Sequence, residues 1–113
     1  MIEEYKFGSF RIDGKSYLDD VKIINGKAKS YTITDHRKGL TLEDIKDIIQ
    51  IKPKFFVIGS GATGMLAIAK DVKDFLRSLG VQVIVEKTTD AVKTVNRYVE
   101  EKKDFCAFLH ATS

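Results

Sequence analysis

The stretch that decides the fold is KFFVIGSGATGMLAIAKDVKDFLRSLGVQVIVE, residues 54–86. Its first apolar run, residues 55–58, is rich in aromatic and β-branched side chains and predicts a strand covered on both faces. From Met65 the apolar residues recur at helical spacing up to Gly80, which suits a left-handed C-cap. A second apolar run, residues 81–85, predicts another strand. The stretch therefore predicts a βαβ unit, whose parallel strands are almost always joined by a right-handed crossover.

The length and composition indicate one domain, residues 1–113, with an ordinary apolar fraction of 43%. No apolar run approaches the ~20 residues of a membrane span, and the acidic first residues carry no secretory signal. The single cysteine, Cys106, excludes an internal disulfide framework and a zinc–cysteine cluster. We therefore expect a cytoplasmic protein with no membrane partner, no bound metal and no cofactor.

The charge pattern argues against nucleic acid as a partner. The net charge is only +3, and basic and acidic residues are interspersed along the chain. A nucleic-acid-binding domain normally concentrates its basic residues on one face. The densest basic run, His36-Arg37-Lys38, is typical of a solvated turn.

The chain on either side of the βαβ unit predicts further strands and helices. Three strands at residues 5–12, 17–24 and 27–34 are separated by the turn signals Asp13-Gly14 and Asn25-Gly26, which predicts a β-meander. A helix follows from Thr41, where Asp44 completes a capping-box pattern, and ends before Pro53. After residue 86 the pattern predicts a last helix and a final strand at 105–109. The predicted order is βββ, α, β, α, β, α, β.

The glycine loop, residues 59–64, carries the clearest functional pattern. Gly59, Gly61 and Gly64 satisfy G-x-G-x-x-G between a strand and a helix, with Glu86 at the end of the next strand. Backbone amides in such a loop can cradle a phosphate at a helix N-terminus. A dinucleotide fold needs two mononucleotide halves, which this short chain lacks. Three interpretations stay open: a dinucleotide, some anion or small ligand, and a purely steric turn.

Other side chains that could carry chemistry are few. Ser60 and Thr63 lie in the glycine loop, but the sequence has no G-x-S-x-G nucleophile elbow. The two histidines, His36 and His110, could act as acid and base if they met, although a surface role and a structural role are the alternatives. Cys106 lies inside an apolar strand, which favours a buried, inert thiol.

The order and spacing of several segments resemble one family, the adipogenesis-associated domain-containing proteins. This domain also occurs in a mitochondrial complex I assembly factor and in short prokaryotic proteins. The resemblance covers essentially the whole chain. It is carried by Phe7-Gly8-Ser9-Phe10, Gly14 with Tyr17 and Asp20-Val21, Val57-Ile58-Gly59-Ser60-Gly61, Thr89-Asp90-Ala91-Val92 with Asn96, and His110-Ala111-Thr112-Ser113.

The resemblance implies a three-layer α/β fold with a central mixed sheet, its last strand antiparallel to the others, and small strands packed to one side. It implies no established enzymatic activity or cofactor. By its motif matches, the resemblance implies these candidate ligand-binding positions: Gly59, Gly61, His36, Asn96, His110 and Thr112. Ser113 stands where many relatives carry cysteine, so a thiol role there does not transfer.

Two functions follow as hypotheses. The first is a non-catalytic binding or assembly module with a protein partner. The second is an enzyme that binds a small molecule or anion through the glycine loop.

Overall fold

Two sheets share the eight strands of this chain, and three α-helices cover the larger sheet. The computed structural model describes all residues, Met1–Ser113. The strands are β1 (Ile2–Lys6), β2 (Ser9–Ile12), β3 (Lys15–Tyr17), β4 (Asp20–Ile24), β5 (Lys27–Tyr31), β6 (Phe55–Gly59), β7 (Gln82–Glu86) and β8 (Phe105–Leu109). The helices are α1 (Lys46–Ile51), which a 3-10 turn (Glu43–Ile45) precedes, α2 (Lys70–Ser78) and α3 (Thr88–Glu100).

The larger sheet is mixed, as predicted, with strand order β5-β4-β8-β6-β7. Strands β7 and β8 both run parallel to β6, whereas β4 runs antiparallel to β5 and β8. The prediction that the last strand opposes all the others was therefore wrong, since β8 is antiparallel only to β4. The reason is that α3 is a crossover connection, which returns the chain to begin β8 in the direction of β6.

The three predicted layers are present: the mixed sheet is the middle layer, and a separate hydrophobic core covers each of its faces. Side chains alternate along β6, so that Val57 packs on one face and Phe56 and Ile58 on the other. The Val57 face is covered by the small sheet β1-β2-β3 and by α3, and the opposite face by α1 and α2. This two-sided burial explains why residues 55–58 are continuously apolar.

The N-terminal meander differs from its prediction, because five strands replace three. Positive φ at Gly8 turns the chain between β1 and β2, and the chain changes sheet between β3 and β4. Both predicted turns are confirmed, with positive φ at Asp13-Gly14 and at Asn25-Gly26.

The helix after the glycine loop begins later than its apolar pattern predicted, at Lys70 instead of Met65. Residues 67–69 pair instead with Leu40, whose N–H donates to Ala67 O (2.9 Å) and whose carbonyl accepts from Ala69 N–H (3.1 Å). The loop therefore does not open directly onto a helix N-terminus. None of the helices has the length and hydropathy needed to cross a bilayer.

Candidate functional site

The site candidates meet at the carboxyl edge, defined here as the edge of the mixed sheet where the parallel strands β6, β7 and β8 end. Ser60 follows β6, and His110 follows β8. Thr88, which begins α3, comes two residues after the end of β7. Open α/β sheets characteristically bind ligands at this edge.

Most backbone amides around the glycine loop already donate hydrogen bonds within the chain, so they are not free to cradle a phosphate. Residues 86, 88, 112 and 113 accept four of these bonds, and carbonyls of the loop itself accept the other two. The donors and acceptors are Ser60 N–H to Glu86 O (2.8 Å), Gly61 N–H to Thr88 Oγ1 (2.8 Å), Ala62 N–H to Thr112 O (2.8 Å), Gly64 N–H to Gly61 O (3.1 Å), Met65 N–H to Ser113 O (2.9 Å) and Leu66 N–H to Ser60 O (2.9 Å).

Side chains of the loop are used in the same way. The Thr63 hydroxyl donates to Ser113 O (2.9 Å), and the Ser60 hydroxyl donates to Glu86 O (3.1 Å). Residues 110–113, called the 110–113 segment below, therefore lie directly against the glycine loop.

Two of the glycines are required by close packing. A Cβ at Gly59 would lie 3.0 Å from Leu109 Cδ2 and 3.0 Å from Thr88 Oγ1. At Gly61, φ is +108° and a Cβ would lie 2.1 Å from the carbonyl carbon of Ser113. The steric interpretation thus accounts for these two positions without a ligand.

His110 makes the most specific polar contact at the carboxyl edge. Its Nδ1 lies 3.0 Å from Asp20 Oδ1, and both side chains are buried. The same carboxylate oxygen accepts from Ala111 N–H (2.8 Å). Because a carboxylate only accepts, Nδ1 carries the hydrogen, and Nε2 lies 3.4 Å from Thr112 Oγ1. The result is a hydrogen-bonded chain of Asp20, His110 and Thr112.

Sequence reasoning missed Asp20 as the partner of His110. The two residues are 90 positions apart and meet because β4 and β8 pair antiparallel, with Val21 opposite Leu109. Only this strand register could have indicated the contact, and the residues around Asp20 carry no pattern that predicts it.

Tyr5 and Thr88 donate hydrogen bonds to main-chain carbonyls of the 110–113 segment. The Tyr5 hydroxyl donates to Ala111 O (2.9 Å), and the Thr88 hydroxyl donates to His110 O (2.8 Å). Burial and the nearby charge of Asp20 raise the pKa of Tyr5, which a hydrogen bond with Thr88 partly offsets. The Tyr5 phenol is therefore neutral at physiological pH.

The remaining predicted site residues lie elsewhere. Asn96 ties α3 to β1, because its amide donates to Ile2 O (2.9 Å) and its Oδ1 accepts from Ile2 N–H (2.9 Å). His36 is exposed in the turn at residues 36–38 and makes no hydrogen bond with His110. The structure thus brings Gly59, Ser60, Gly61, Thr63, Gly64, His110 and Thr112 together and leaves Asn96 and His36 apart.

Three large apolar side chains that are mostly exposed lie at or near residues that contact the 110–113 segment. Phe7, Leu18 and Met65 are 69%, 82% and 71% exposed, and no other large apolar side chain exceeds 41%. Gly8, next to Phe7, donates to Ala111 O, Met65 N–H donates to Ser113 O, and Leu18 precedes Asp20 by two residues. These three residues and the 110–113 segment are together called the carboxyl-edge surface below.

A second polar cluster, which the sequence did not reveal, surrounds Asp44. Its carboxylate accepts five hydrogen bonds, from Thr34 N–H and Oγ1, Thr41 N–H and Oγ1, and the Tyr31 hydroxyl. Burial raises the pKa of Asp44, but these bonds outweigh it and hold the pKa at about 2. The contact with Thr41 N–H is the predicted capping interaction, while the bonds to Tyr31 and Thr34 were not predicted.

The buried Lys22 joins this cluster to the mixed sheet. Its ammonium group donates to the Asp44 carbonyl and to Asp47 Oδ1 (3.2 Å), and it lies 3.8 Å from the centre of the Tyr31 ring. A cleft of about 330 Å³ opens beside the cluster. None of the predicted site residues lines this cleft, whose walls are Thr34, Asp35, Lys38, Thr41, Leu42, Glu43 and Asp71.

Cys106 is buried in β8, in agreement with the prediction of an inert thiol. Burial is the main cause that raises its pKa to about 11. At physiological pH the thiolate, which is the reactive form, is therefore negligible.

The fold and the site define a class: a three-layer α/β domain whose carboxyl edge is closed by its own chain. The chain belongs to the family described as protein of unknown function (DUF498/DUF598), whose model matches residues 2–110.

Solved structures of similar proteins share this fold. A conserved hypothetical protein from Pyrococcus horikoshii is 25% identical, with 100% of this chain and 99% of that chain covered and a TM-score of 0.83. An outer membrane protein from Bartonella henselae is 23% identical (99% and 94% covered, TM-score 0.85). A Mth938-like domain protein from Bordetella pertussis is 14% identical (97% and 84% covered, TM-score 0.74). The last two similarities establish the fold alone.

Proposed function

We propose that this chain is a non-catalytic binding module that docks a protein partner on the carboxyl-edge surface. The observation that carries the proposal is that Phe7, Leu18 and Met65, the three most exposed large apolar side chains, all lie at or within two residues of a contact with the 110–113 segment. Exposed apolar side chains that gather in one place mark interaction surfaces more often than scattered ones do.

The energetics suit a partner that covers these side chains. Burying a large apolar side chain is worth about 2 kcal/mol, and none of the three contributes that energy in the free chain. The backbone beneath is held by internal hydrogen bonds, so docking need not order a flexible loop. A preformed apolar surface of this kind favours association over catalysis.

An assembly role is part of the same proposal. It is supported by the resemblance to the adipogenesis-associated domain family, whose eukaryotic members are associated with assembly. We also propose a cytoplasmic location, because the lone Cys106 has no partner for a disulfide.

The test replaces all three side chains with serine in one variant, Phe7→Ser, Leu18→Ser and Met65→Ser. The matched control carries Ile51→Ser and Val99→Ser, which remove apolar side chains that are about 40% exposed outside the surface. Each chain is immobilised and used to capture proteins from an extract of the source organism, and its melting temperature is measured.

We expect the native chain and the control to retain the same stoichiometric partner and the triple variant to lose it with an unchanged melting temperature. Failure of the native chain to retain a partner, or equal retention by the triple variant, would reject the proposal.

A second candidate function, an enzyme that binds a small molecule or anion at the glycine loop, is favoured by the chain of Asp20, His110 and Thr112. A histidine oriented by a carboxylate and facing a hydroxyl is an arrangement used in acid–base chemistry. A ligand anion could reach the amides of Ala62 and Met65 only by displacing Thr112 and Ser113.

A thermal-shift screen with phosphate, nucleotides and acyl-carrier compounds tests this candidate. A ligand at about 100 times its Kd adds about 2.7 kcal/mol to the free energy of unfolding. If none of the compounds raises the melting temperature, the enzyme candidate is rejected and the binding module is unaffected.

A further inference from the structure

We propose that two copies of this chain associate along β7, which joins their mixed sheets into one continuous sheet across a two-fold axis. Strand β7 is at one end of the strand order and pairs only with β6. Its other side therefore presents main-chain donors and acceptors that no strand of this chain uses.

The direction of these groups follows from the hydrogen bonds that β7 already makes. Gln82 N–H donates to Lys54 O (2.9 Å), and Glu86 O accepts from Ser60 N–H (2.8 Å), so the main-chain N–H and C=O groups of both residues point toward β6. These groups point to alternate sides along a strand. Those of Ile84 therefore also point toward β6, while those of Val83 and Val85 point away from the sheet.

The two edges of the mixed sheet differ in how they are protected. The opposite edge strand, β5, carries Lys27 and Lys29, and lysine on an edge strand discourages association with another strand. Strand β7 has the sequence QVIVE, without lysine or proline. The unprotected edge is therefore the one whose residues favour strand pairing.

The occupant that fits this edge is β7 of a second copy, because its sequence is complementary to itself. In an antiparallel pair centred on Ile84, Val83 lies opposite Val85 of the second copy, and the two exchange both main-chain hydrogen bonds. This register pairs all five residues of the strand and gives the self-complementary interface of a two-fold dimer.

The side chains agree with the same register. Gln82 lies opposite Glu86 of the second copy, so an amide donor meets a carboxylate. Glu86 Oε1 is already held by the Thr94 hydroxyl (2.6 Å), which fixes the carboxylate on the α3 face of the sheet. A register centred on Val85 would instead place Glu86 opposite an apolar Ile84.

Exposed apolar side chains also lie beside β7 on the other face of the sheet, which α2 covers. Val85 projects on the same face as Val83, where α2 packs against β7, and both Val85 and Phe75 of α2 are 41% exposed. A two-fold axis through Ile84 brings these side chains of both copies to one seam. The dimer thereby gains apolar burial in addition to its main-chain hydrogen bonds.

The first experiment measures the oligomeric state of the full chain by analytical ultracentrifugation between about 10 µM and about 1 mM, a range that covers weak association. Val85→Lys places an edge lysine on the proposed seam, and Val99→Lys is the control at an equally exposed position on α3. We expect dimers from the native chain and the control and monomers from Val85→Lys. A native chain that is monomeric throughout, or a dimer that Val85→Lys leaves intact, overturns the proposal.

The second experiment tests the register. Residues at position 84 would form a non-hydrogen-bonded antiparallel pair, whose Cα atoms lie about 4.5 Å apart, within the range that a disulfide bridges. We expect Ile84→Cys to give a disulfide-linked dimer on oxidation, seen on a non-reducing gel, and Val99→Cys to give no covalent dimer under the same treatment.

Should Ile84→Cys fail to fold, an equimolar mixture of Gln82→Cys and Glu86→Cys chains forms the same cross-link between opposite positions. The absence of cross-linked dimer from a folded variant overturns pairing centred on Ile84.

Discussion

The carboxyl edge and the Asp44 cluster both tie distant parts of the chain together, but they do so with different chemistry. At the carboxyl edge, neutral amides, carbonyls and hydroxyls join the glycine loop to the 110–113 segment. In the Asp44 cluster, one buried carboxylate accepts five hydrogen bonds and holds the start of the first helical turn against the chain after β5. The contacts between the loop and this segment involve no ionised group, although the Asp20 carboxylate holds the segment from β4 through Ala111 N–H.

This difference shows why a glycine-rich loop is weak evidence for a ligand. Uncharged groups from the same chain can accept most of the hydrogen bonds that a phosphate would accept, and glycines such as Gly61 then serve close packing. The Asp44 carboxylate, in contrast, was expected only to cap Thr41 and is the centre of a network. We therefore expect steric changes to destabilise the contact between the glycine loop and the 110–113 segment, and acid to destabilise the Asp44 cluster.

The largest effect is expected for Gly61→Ala. Gly61 combines φ of +108° with a Cβ position 2.1 Å from the carbonyl carbon of Ser113. Backbone strain and steric overlap each cost about 1–3 kcal/mol, so we expect a loss of about 4 kcal/mol in the free energy of unfolding, measured by urea denaturation.

Gly64→Ala is the matched control, because Gly64 also has positive φ (+74°) but its Cβ would have no neighbour closer than 3.6 Å. We expect it to cost about 1 kcal/mol, from backbone strain alone. Removing residues 112 and 113 should lower the cost of Gly61→Ala to that of the control. Equal costs for both variants in the complete chain would show that the 110–113 segment does not close the loop.

Acid should destabilise the chain through Asp44. Its pKa is depressed in the folded state, to about 2 from an ordinary value of 3.8, so its contribution is fully present above about pH 4 and is lost as the pH falls toward 2. The depression corresponds to about 2 kcal/mol. Asp47, whose pKa is also lowered, mainly by hydrogen bonds from Lys29 and Lys22 that outweigh its burial, acts in the same direction.

Asp44→Asn removes the titrating group and leaves buried donors without an acceptor of equal strength. We expect a loss of about 3 kcal/mol at pH 7 that becomes smaller as the pH falls from 4 to 2. Denaturation curves at several pH values measure this change. A loss that stays constant over that pH range would contradict the assignment of a depressed pKa to Asp44.

The parts of the fold that were predictable are those set by neighbouring residues. The apolar run of residues 55–58 predicted the inner strand β6, and Asp13-Gly14 and Asn25-Gly26 predicted both hairpin turns, because strand burial and positive φ are local requirements. The split of residues 5–12 into two strands followed from Gly8, whose positive φ the strand pattern did not reveal.

The site was less predictable, because its contacts join residues far apart in sequence. The 110–113 segment meets the glycine loop across some 50 positions, and Asp20 meets His110 across 90. The strand pattern places each strand but does not state which strands are neighbours. The bonds that occupy the amides of Gly61 and Ala62 therefore could not be derived from the loop sequence.

Thr88→Val distinguishes the two regions by its pH dependence. The fully buried Thr88 hydroxyl accepts from Gly61 N–H and donates to His110 O, both at 2.8 Å. Valine has nearly the same shape, so the expected loss of about 2 kcal/mol comes from two buried polar groups without partners. Because neither partner is a carboxylate, the loss should be the same at pH 7 and pH 4. A marked pH dependence would mean that the two contacts of Thr88 are coupled to a nearby ionised group such as Asp20.

The smallest effect is expected for Thr63→Val, which removes a second threonine hydroxyl from the same segment. The Thr63 hydroxyl donates to Ser113 O (2.9 Å), but it is exposed, so water replaces it when it is lost. We therefore expect a change of less than about 0.5 kcal/mol in the free energy of unfolding. Thr63→Val and Thr88→Val thus remove the same chemical group with opposite burial. If Thr63→Val costs as much as Thr88→Val, then burial does not set the cost of losing either hydroxyl, and the exposed contact at the mouth of the loop holds the 110–113 segment as strongly as the buried one.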